Sequence, residues 1–255
     1  MKRFLFIVLT ILLTSQVSTA QNNLTVTKLL QKADSLKNEF HEKEALDTYL
    51  RVLDKDSTNY EAVWNASYYY SRVGNRISNK SQKEAYFQKA KKLAKRALRL
   101  RPDDAYSNFV MSVAMGRIAL IASAKDRVAA SNDIKHYVDK AISEDSSLAE
   151  AWYVLGRWNY KVDNLNFAER LAANVLFGGL PKGASTQKAI QCYQKAISLN
   201  PNVIMYYYSL AVAYHTAHQD HKSIETINEL LKLPNKSPDD PGYKKEAERL
   251  IQKIQ

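Results

Sequence analysis

The chain has 255 residues, 45% of them hydrophobic, with 37 Lys and Arg against 26 Asp and Glu and a single cysteine. That length suits one large domain or a repeat array, and the lone Cys192 excludes an intrachain disulfide, so packing must supply the stability. A net charge of +11 admits three kinds of anionic partner: nucleic acid, acidic protein and anionic lipid headgroups.

The chain opens "MKRFLFIVLTILLTSQVSTAQ": Lys2 and Arg3, an apolar run from Phe4 to Leu13, then small residues at Ser18, Thr19 and Ala20. This is the layout of a secretory signal peptide cleaved after Ala20. An apolar run this short falls below the ~20 residues that span a bilayer. Residues 1–20 are therefore expected to be a signal peptide, and residues 21–255 a single exported domain, periplasmic or secreted. The Thr19-Ala20-Gln21 ending is that of a bacterial leader. An exported protein rarely meets nucleic acid, so none is expected as a partner.

After the leader the sequence repeats itself. The segments "YLRVLDKDSTN", "AKRALRLRPDD", "VDKAISEDSS" and "YQKAISLNPN" are apolar-periodic helix ends with a polar or proline stop. Each precedes an aromatic-rich helix: "YEAVWNASYYYSRVG", "AYSNFVMSVAMG", "LAEAWYVLGRWNY" and "VIMYYYSLAVAY". This pattern resembles the tetratricopeptide repeat, a 34-residue helix–turn–helix unit. Starts at Val26, Tyr60, Ala105, Ala149 and Ile204 put Ala33, Ser67, Ser112, Gly156 and Ala211 at the eighth position. A small residue is needed there because the paired helices cross closely. The predicted fold is an all-α tetratricopeptide-like helical-repeat solenoid of five helical pairs. The helix over 240–254, with Ala247, Leu250 and Ile251 periodic, is expected to cap it.

Successive starts lie 34, 45, 44 and 55 residues apart. The second and third repeats are therefore expected to carry lengthened helices. In the second, Ala90, Leu93, Ala94, Ala97 and Leu98 form an apolar stripe. Residues 75–101 hold ten Lys and Arg against one acid, Glu84, and Lys92, Lys95, Arg96 and Arg99 fall opposite the stripe. This basic patch reads first as a solvated helix face and second as a site for an anionic membrane or partner. The fourth repeat accommodates an inserted amphipathic helix over 164–177, with Phe167, Leu171 and Val175 on one side. "LFGGLPKGAS" then stops it at Gly178 and Gly179, and Ser185 is placed to cap the next helix. A phosphate loop is excluded there, because Ala184 stands where a lysine must reach the phosphates and the preceding segment is helical.

Residues 117–217 resemble the regulator of microtubule dynamics family of tetratricopeptide-like proteins, on "LGRWNYKV", "LFGGLP" and the "KDRV" to "VDKAI" segment. The "GGLP" stop is also similar to the helical-repeat subunit of TRAP-type transport systems. The family name implies microtubule association, but a secretory leader separates the chain from tubulin.

No catalytic constellation emerges, and no cofactor or metal is expected. His215, His218 and His221 lie where the last repeat turns, and i+6 has rotated off the face that i and i+3 share. In the tetratricopeptide family the inner face is lined by positions 2, 5, 9, 12 and 13 of the first helix. The resemblance places Trp64, Tyr68, Arg72, Phe109, Arg117, Tyr153, Arg157, Tyr160 and Tyr208 there, with Lys161 and His215. Aromatic rings interleaved with arginine suit a peptide or an acidic, partly apolar ligand. The expected function is an exported non-enzymatic scaffold that binds a protein or peptide through this concave face. The alternative is a small-molecule or lipid-binding accessory subunit of an envelope transport system, its pocket walled by the inserted helix.

Overall fold

The computed structural model describes residues 23–177 and 183–255, with side chains at 176 and 177 excepted. The leader and the Gly178-Gly179-Leu180-Pro181 stop lie outside the described residues. The described residues are helices and short connections, with no strand among them. Residues 23–38 form α1. The next six are α2 (Glu42–Lys55), α3 (Tyr60–Arg76), α4 (Lys80–Leu100), α5 (Ala105–Ile121), α6 (Ala124–Glu144) and α7 (Ala149–Asp163). They are followed by α8 (Phe167–Phe177), α9 (Thr186–Leu199), α10 (Ile204–Thr216), α11 (Asp220–Lys232) and α12 (Asp240–Ile254).

Polar residues start the helices. Asn59, Asn79, Asp104, Ser123 and Ser185 each accept a hydrogen bond from a backbone N–H of the first turn, which satisfies a donor the helix itself leaves orphaned. Ser185 is the cap that its position in the sequence suggests. The lengthened helices are present: α4 and α6 run 21 residues each, against 14 in α2 and α9.

Paired helices meet through small residues. Ala33, Ser67, Ser112 and Ala211 have no exposed surface. The Ser67 hydroxyl donates across to the Ala90 carbonyl of α4 at 2.8 Å. In the last pair the direction reverses: Ser223 of α11 donates to the Ala211 carbonyl at 2.9 Å. At Gly156 any Cβ would lie 2.6 Å from the Tyr193 ring, closer than real Cβ contacts come. These crossings hold α7 against α9, so α8 is a true insertion, and it packs on α6 instead.

The insertion is oriented against its own amphipathicity. Phe167, Leu171 and Val175 are 82%, 53% and 73% exposed, while Glu169 and Ala173 are buried. The cause is a polar tether. Glu169 pairs with Arg127 of α6 and accepts from the Asn166 N–H at 2.9 Å, while the Asn166 side chain accepts from the Glu169 N–H at 3.0 Å. Arg127 also donates to the carbonyls of Ala119 and Ala122 at the end of α5. These bonds fix which side of α8 faces inward, and the apolar side is left out.

The two ends of the array touch through one ion network. Arg72 Nε donates to Glu42 at 2.6 Å, and Arg76 donates to the same carboxylate at 2.5 Å. Both arginines then reach Asp239, just before α12, at 3.3 and 3.1 Å, and Arg72 also donates to Ser237 at 3.0 Å. Glu42 is buried, at 7% exposure.

Candidate functional site

The first helices of repeats two, three and four, together with α6 and the α7–α8 connection, line a half-open cavity of about 400 Å³. Its walls carry Phe109, Val113 and Leu120 from α5, Val128 and Ile134 from α6, and Tyr153, Val154 and Trp158 from α7. Trp158 is held by its indole N–H, which donates to the Ser131 carbonyl and lies 2.9 Å from the Ser131 hydroxyl. Asn164, Leu165, Asn166 and Glu169 close the side toward the insertion. Among the described side chains of α8, Glu169 is the one that joins the wall.

Of the residues expected on the inner face, Tyr68, Arg72, Phe109, Arg117, Tyr153 and Arg157 line this cavity, as does Lys161. Trp64, Tyr160 and Tyr208 do not. Trp64 is stacked on Tyr106 with ring centroids 4.3 Å apart. Tyr160 shares a hydrogen bond with Thr216 at 2.9 Å. Tyr208 packs against Tyr243 of α12 at 5.3 Å. In each case the side chain is engaged by one from a neighbouring element. His215 is likewise engaged, its Nδ1 lying 2.7 Å from Asp220.

The arginines of the cavity differ in their partners. Arg72 is neutralised by Glu42 and Asp239, and Arg127 by Glu169. Arg117 and Arg157 have no acid at ion-pair distance among the described residues. Arg117 donates only to the Asn75 amide oxygen at 3.0 Å. Arg157 lies over the Tyr153 ring, 6.0 Å from its centroid, and makes a long 3.5 Å contact with the Tyr153 hydroxyl. Burial, then the neighbouring Arg157 and Arg72 charges, push the Arg117 pKa down to about 10. Arg117 is still charged at neutral pH, and that charge is uncompensated.

Glu150, the second position of the repeat that starts at Ala149, is not among the inner-face residues named from the sequence, yet it lines the same cavity. It stands seven residues before Arg157 on α7, so the two share a face, roughly 10 Å apart along the axis. The signal was in the spacing itself: Glu150, Tyr153 with Val154, Arg157 and Lys161 form one stripe with a carboxylate at one end and cations at the other.

Among the described residues, no three His, Cys, Asp or Glu side chains come together as metal ligands. Cys192 is buried, and burial pushes its thiol up to about 11, so it is a protonated packing residue at neutral pH.

The basic patch lies apart from the cavity. Lys92, Lys95 and Arg99 are exposed and Arg96 half-buried, while Ala90, Ala94 and Ala97 on the other side of α4 are fully buried. Changing Lys92, Arg96 and Arg99 together to Glu is expected to alter stability in urea by no more than about 1 kcal/mol, because exposed charges couple weakly. The same triple variant is expected to leave ligand binding in the cavity intact. A larger loss of stability would mean that the helix face is packed.

A family model described as "Regulator of microtubule dynamics protein 1-3" matches residues 29–255. The chain belongs to the regulator of microtubule dynamics protein family. It is 27% identical over 228 residues to regulator of microtubule dynamics protein 3 of Rattus norvegicus, covering 87% of this chain and 48% of the relative. It is 24% identical over 237 residues to regulator of microtubule dynamics protein 2 of Bos taurus, covering 92% of this chain and 58% of the relative. The chain thus spans about half the length of these two regulators. Among solved structures, a thermophilic tetratricopeptide-repeat protein of Thermus thermophilus superposes with a TM-score of 0.63 at 14% identity, covering 89% of this chain and 99% of that one. That likeness establishes the tetratricopeptide-like fold for this regulator family member, and the fold alone.

Proposed function

We propose that this protein is an exported, non-enzymatic scaffold that holds a protein or peptide in the cavity on the inner side of its solenoid. The observation that carries the reading is Arg117 and Arg157: two guanidinium groups without acids, in a cavity walled by aromatic and aliphatic side chains. An uncompensated charge facing an apolar space is a cost to the free protein, and a bound anion offsets it. Tetratricopeptide-like folds commonly serve protein recognition, which agrees with this use of the inner face. Export rests on the leader pattern at residues 1–20. The microtubule role is in the names of the relatives. A chain carried out of the cytoplasm does not meet tubulin, so we assign it no such role.

Two measurements test the reading. N-terminal sequencing of the protein from its native envelope fraction is expected to begin at Gln21; a protein retaining Met1 in the cytosol would overturn export. Affinity capture from the same fraction is expected to recover a specific protein with the wild type, and to lose it with Arg157→Ala. Equal recovery by both would remove the cavity from the account.

A second reading, a small-molecule or lipid-binding accessory subunit, is favoured by the volume and apolar walls of the cavity. Native mass spectrometry of the purified protein separates the two: a retained small molecule supports the second reading, and bare protein the first.

A further inference from the structure

The cavity is polar in a definite order. At one end stand Arg117 and Arg157 without acids, with Lys161 one turn beyond on the same helix. At the other stands Glu150, which has no cation at ion-pair distance among the described residues. Tyr68, Phe109 and Tyr153 supply aromatic surface on the cavity walls. A purely anionic ligand with an apolar tail would satisfy the arginines and leave Glu150 desolvated and unpaired. A neutral apolar ligand would leave both ends unpaired. The ligand that satisfies both ends carries one charge of each sign, separated by roughly the 10 Å that seven helical residues span.

An extended peptide meets this requirement. In the polyproline II conformation, residues three apart point the same way and lie about 9 Å apart. We infer that the cavity is a charge-ordered peptide site, in which Arg117 and Arg157 take a carboxylate and Glu150 takes a basic residue three positions away on an extended segment. This rests on the peptide reading above and deepens it. The carboxylate has two possible sources, an Asp or Glu side chain or the free end of a chain, and both present the same oxygens to a guanidinium.

The stability of the free protein gives an independent check. Burial and the neighbouring arginines disfavour the Arg117 charge, so removing it with Arg117→Met is expected to raise the melting temperature while weakening ligand binding by up to about tenfold. A residue kept for the fold would lower both. A lower melting temperature for Arg117→Met would overturn the premise that its charge is uncompensated.

Binding is tested by fluorescence anisotropy with labelled peptide mixtures, acetylated and amidated at their ends. Glu and Lys are fixed three positions apart in either order, with small and apolar residues elsewhere. Control mixtures replace Glu by Gln, replace Lys by Gln, or set Glu and Lys adjacent, and one further mixture offers its only carboxylate as a free C-terminus. The spaced Glu/Lys mixture is expected to bind on the order of tenfold tighter than either Gln control, the effect of about one charge-assisted contact. Glu150→Gln is expected to erase the preference for Lys alone, and Arg157→Gln the preference for Glu alone. The free C-terminus mixture identifies which carboxylate source is used. Peptides that bind without charge preference would overturn the ordered site and leave the peptide reading standing. No binding of any mixture, with transfer of lipid from phosphatidylglycerol vesicles instead, would overturn both.

Discussion

Glu42→Ala is expected to cost the folded state about 3–5 kcal/mol, the range for removing one partner from a buried ion pair. Glu42 is 7% exposed and is gripped by two arginines of the next repeat, at 2.6 and 2.5 Å. Removing it leaves Arg72, itself 14% exposed, with Asp239 as its one remaining acid, beside Ser237 and the Tyr68 ring. Asp239 cannot replace it, because it sits at longer range and is 25% exposed, where solvent screens the interaction. Asp239→Asn should therefore cost only about 1 kcal/mol. Urea unfolding of the two variants checks the ranking. A further arm, Glu42→Ala with Arg72→Met and Arg76→Met, should recover much of the loss, since no charge is then left buried alone. If the triple variant is no more stable than Glu42→Ala, the loss arises from packing rather than charge.

Gly156→Leu is expected to be as damaging, by an unrelated mechanism. Even the Cβ of an alanine here would meet the Tyr193 ring at 2.6 and 2.7 Å and Cys192 Cβ at 3.2 Å. Tyr193 is 2% exposed and is hemmed in by Tyr153, whose ring centroid is 5.8 Å away, so it has nowhere to swing. Gly156→Ala gains roughly 1 kcal/mol of helix propensity but overpacks a filled core, and a net loss of about 1–2 kcal/mol is expected. With leucine the helices α7 and α9 must separate, and the loss should exceed about 3 kcal/mol. In a domain of this size that lowers the melting temperature by roughly 6–12 °C. Thermal unfolding followed by circular dichroism gives the comparison. Tyr193→Leu introduced beside Gly156→Ala should restore part of the stability, and an unchanged melting temperature in Gly156→Ala would mean the crossing has slack.

The contrast between Gly156 and Trp64 shows what the sequence made legible. A small residue at a helix crossing is demanded by the geometry of two adjacent elements, so its recurrence every repeat reveals both the pairs and their registration. The lengthened α4 and α6 follow from the same counting. Which aromatic faces a ligand is a different matter. Trp64 is taken by Tyr106, Tyr208 by Tyr243 and Tyr160 by Thr216, each from a neighbouring element whose rotation no periodicity reports. Arg72 was legible as an inward residue but not as a neutralised one, because its acids lie 30 and 167 residues away. The insertion shows the opposite error. Its apolar stripe implies burial of Phe167, Leu171 and Val175, yet the Arg127–Glu169 pair buries the other side. Glu150 was open to view, two turns before Arg157 and at the second position of the repeat that starts at Ala149.

The reach of Arg72 to Asp239 changes what kind of object the solenoid is. A repeat array is close to one-dimensional: each unit touches its neighbours, and the terminal units can fray while the middle survives. A bond across 167 residues joins the second repeat to the segment that leads into the final helix, and the line becomes a ring. Loosening at either end now strains the same bridge, so neither terminus melts as a private event. The contact also ranks among the most non-local in the chain, and closing so long a loop is slow and entropically expensive. It belongs at the end of assembly, as the latch that converts a string of stable pairs into one cooperative body.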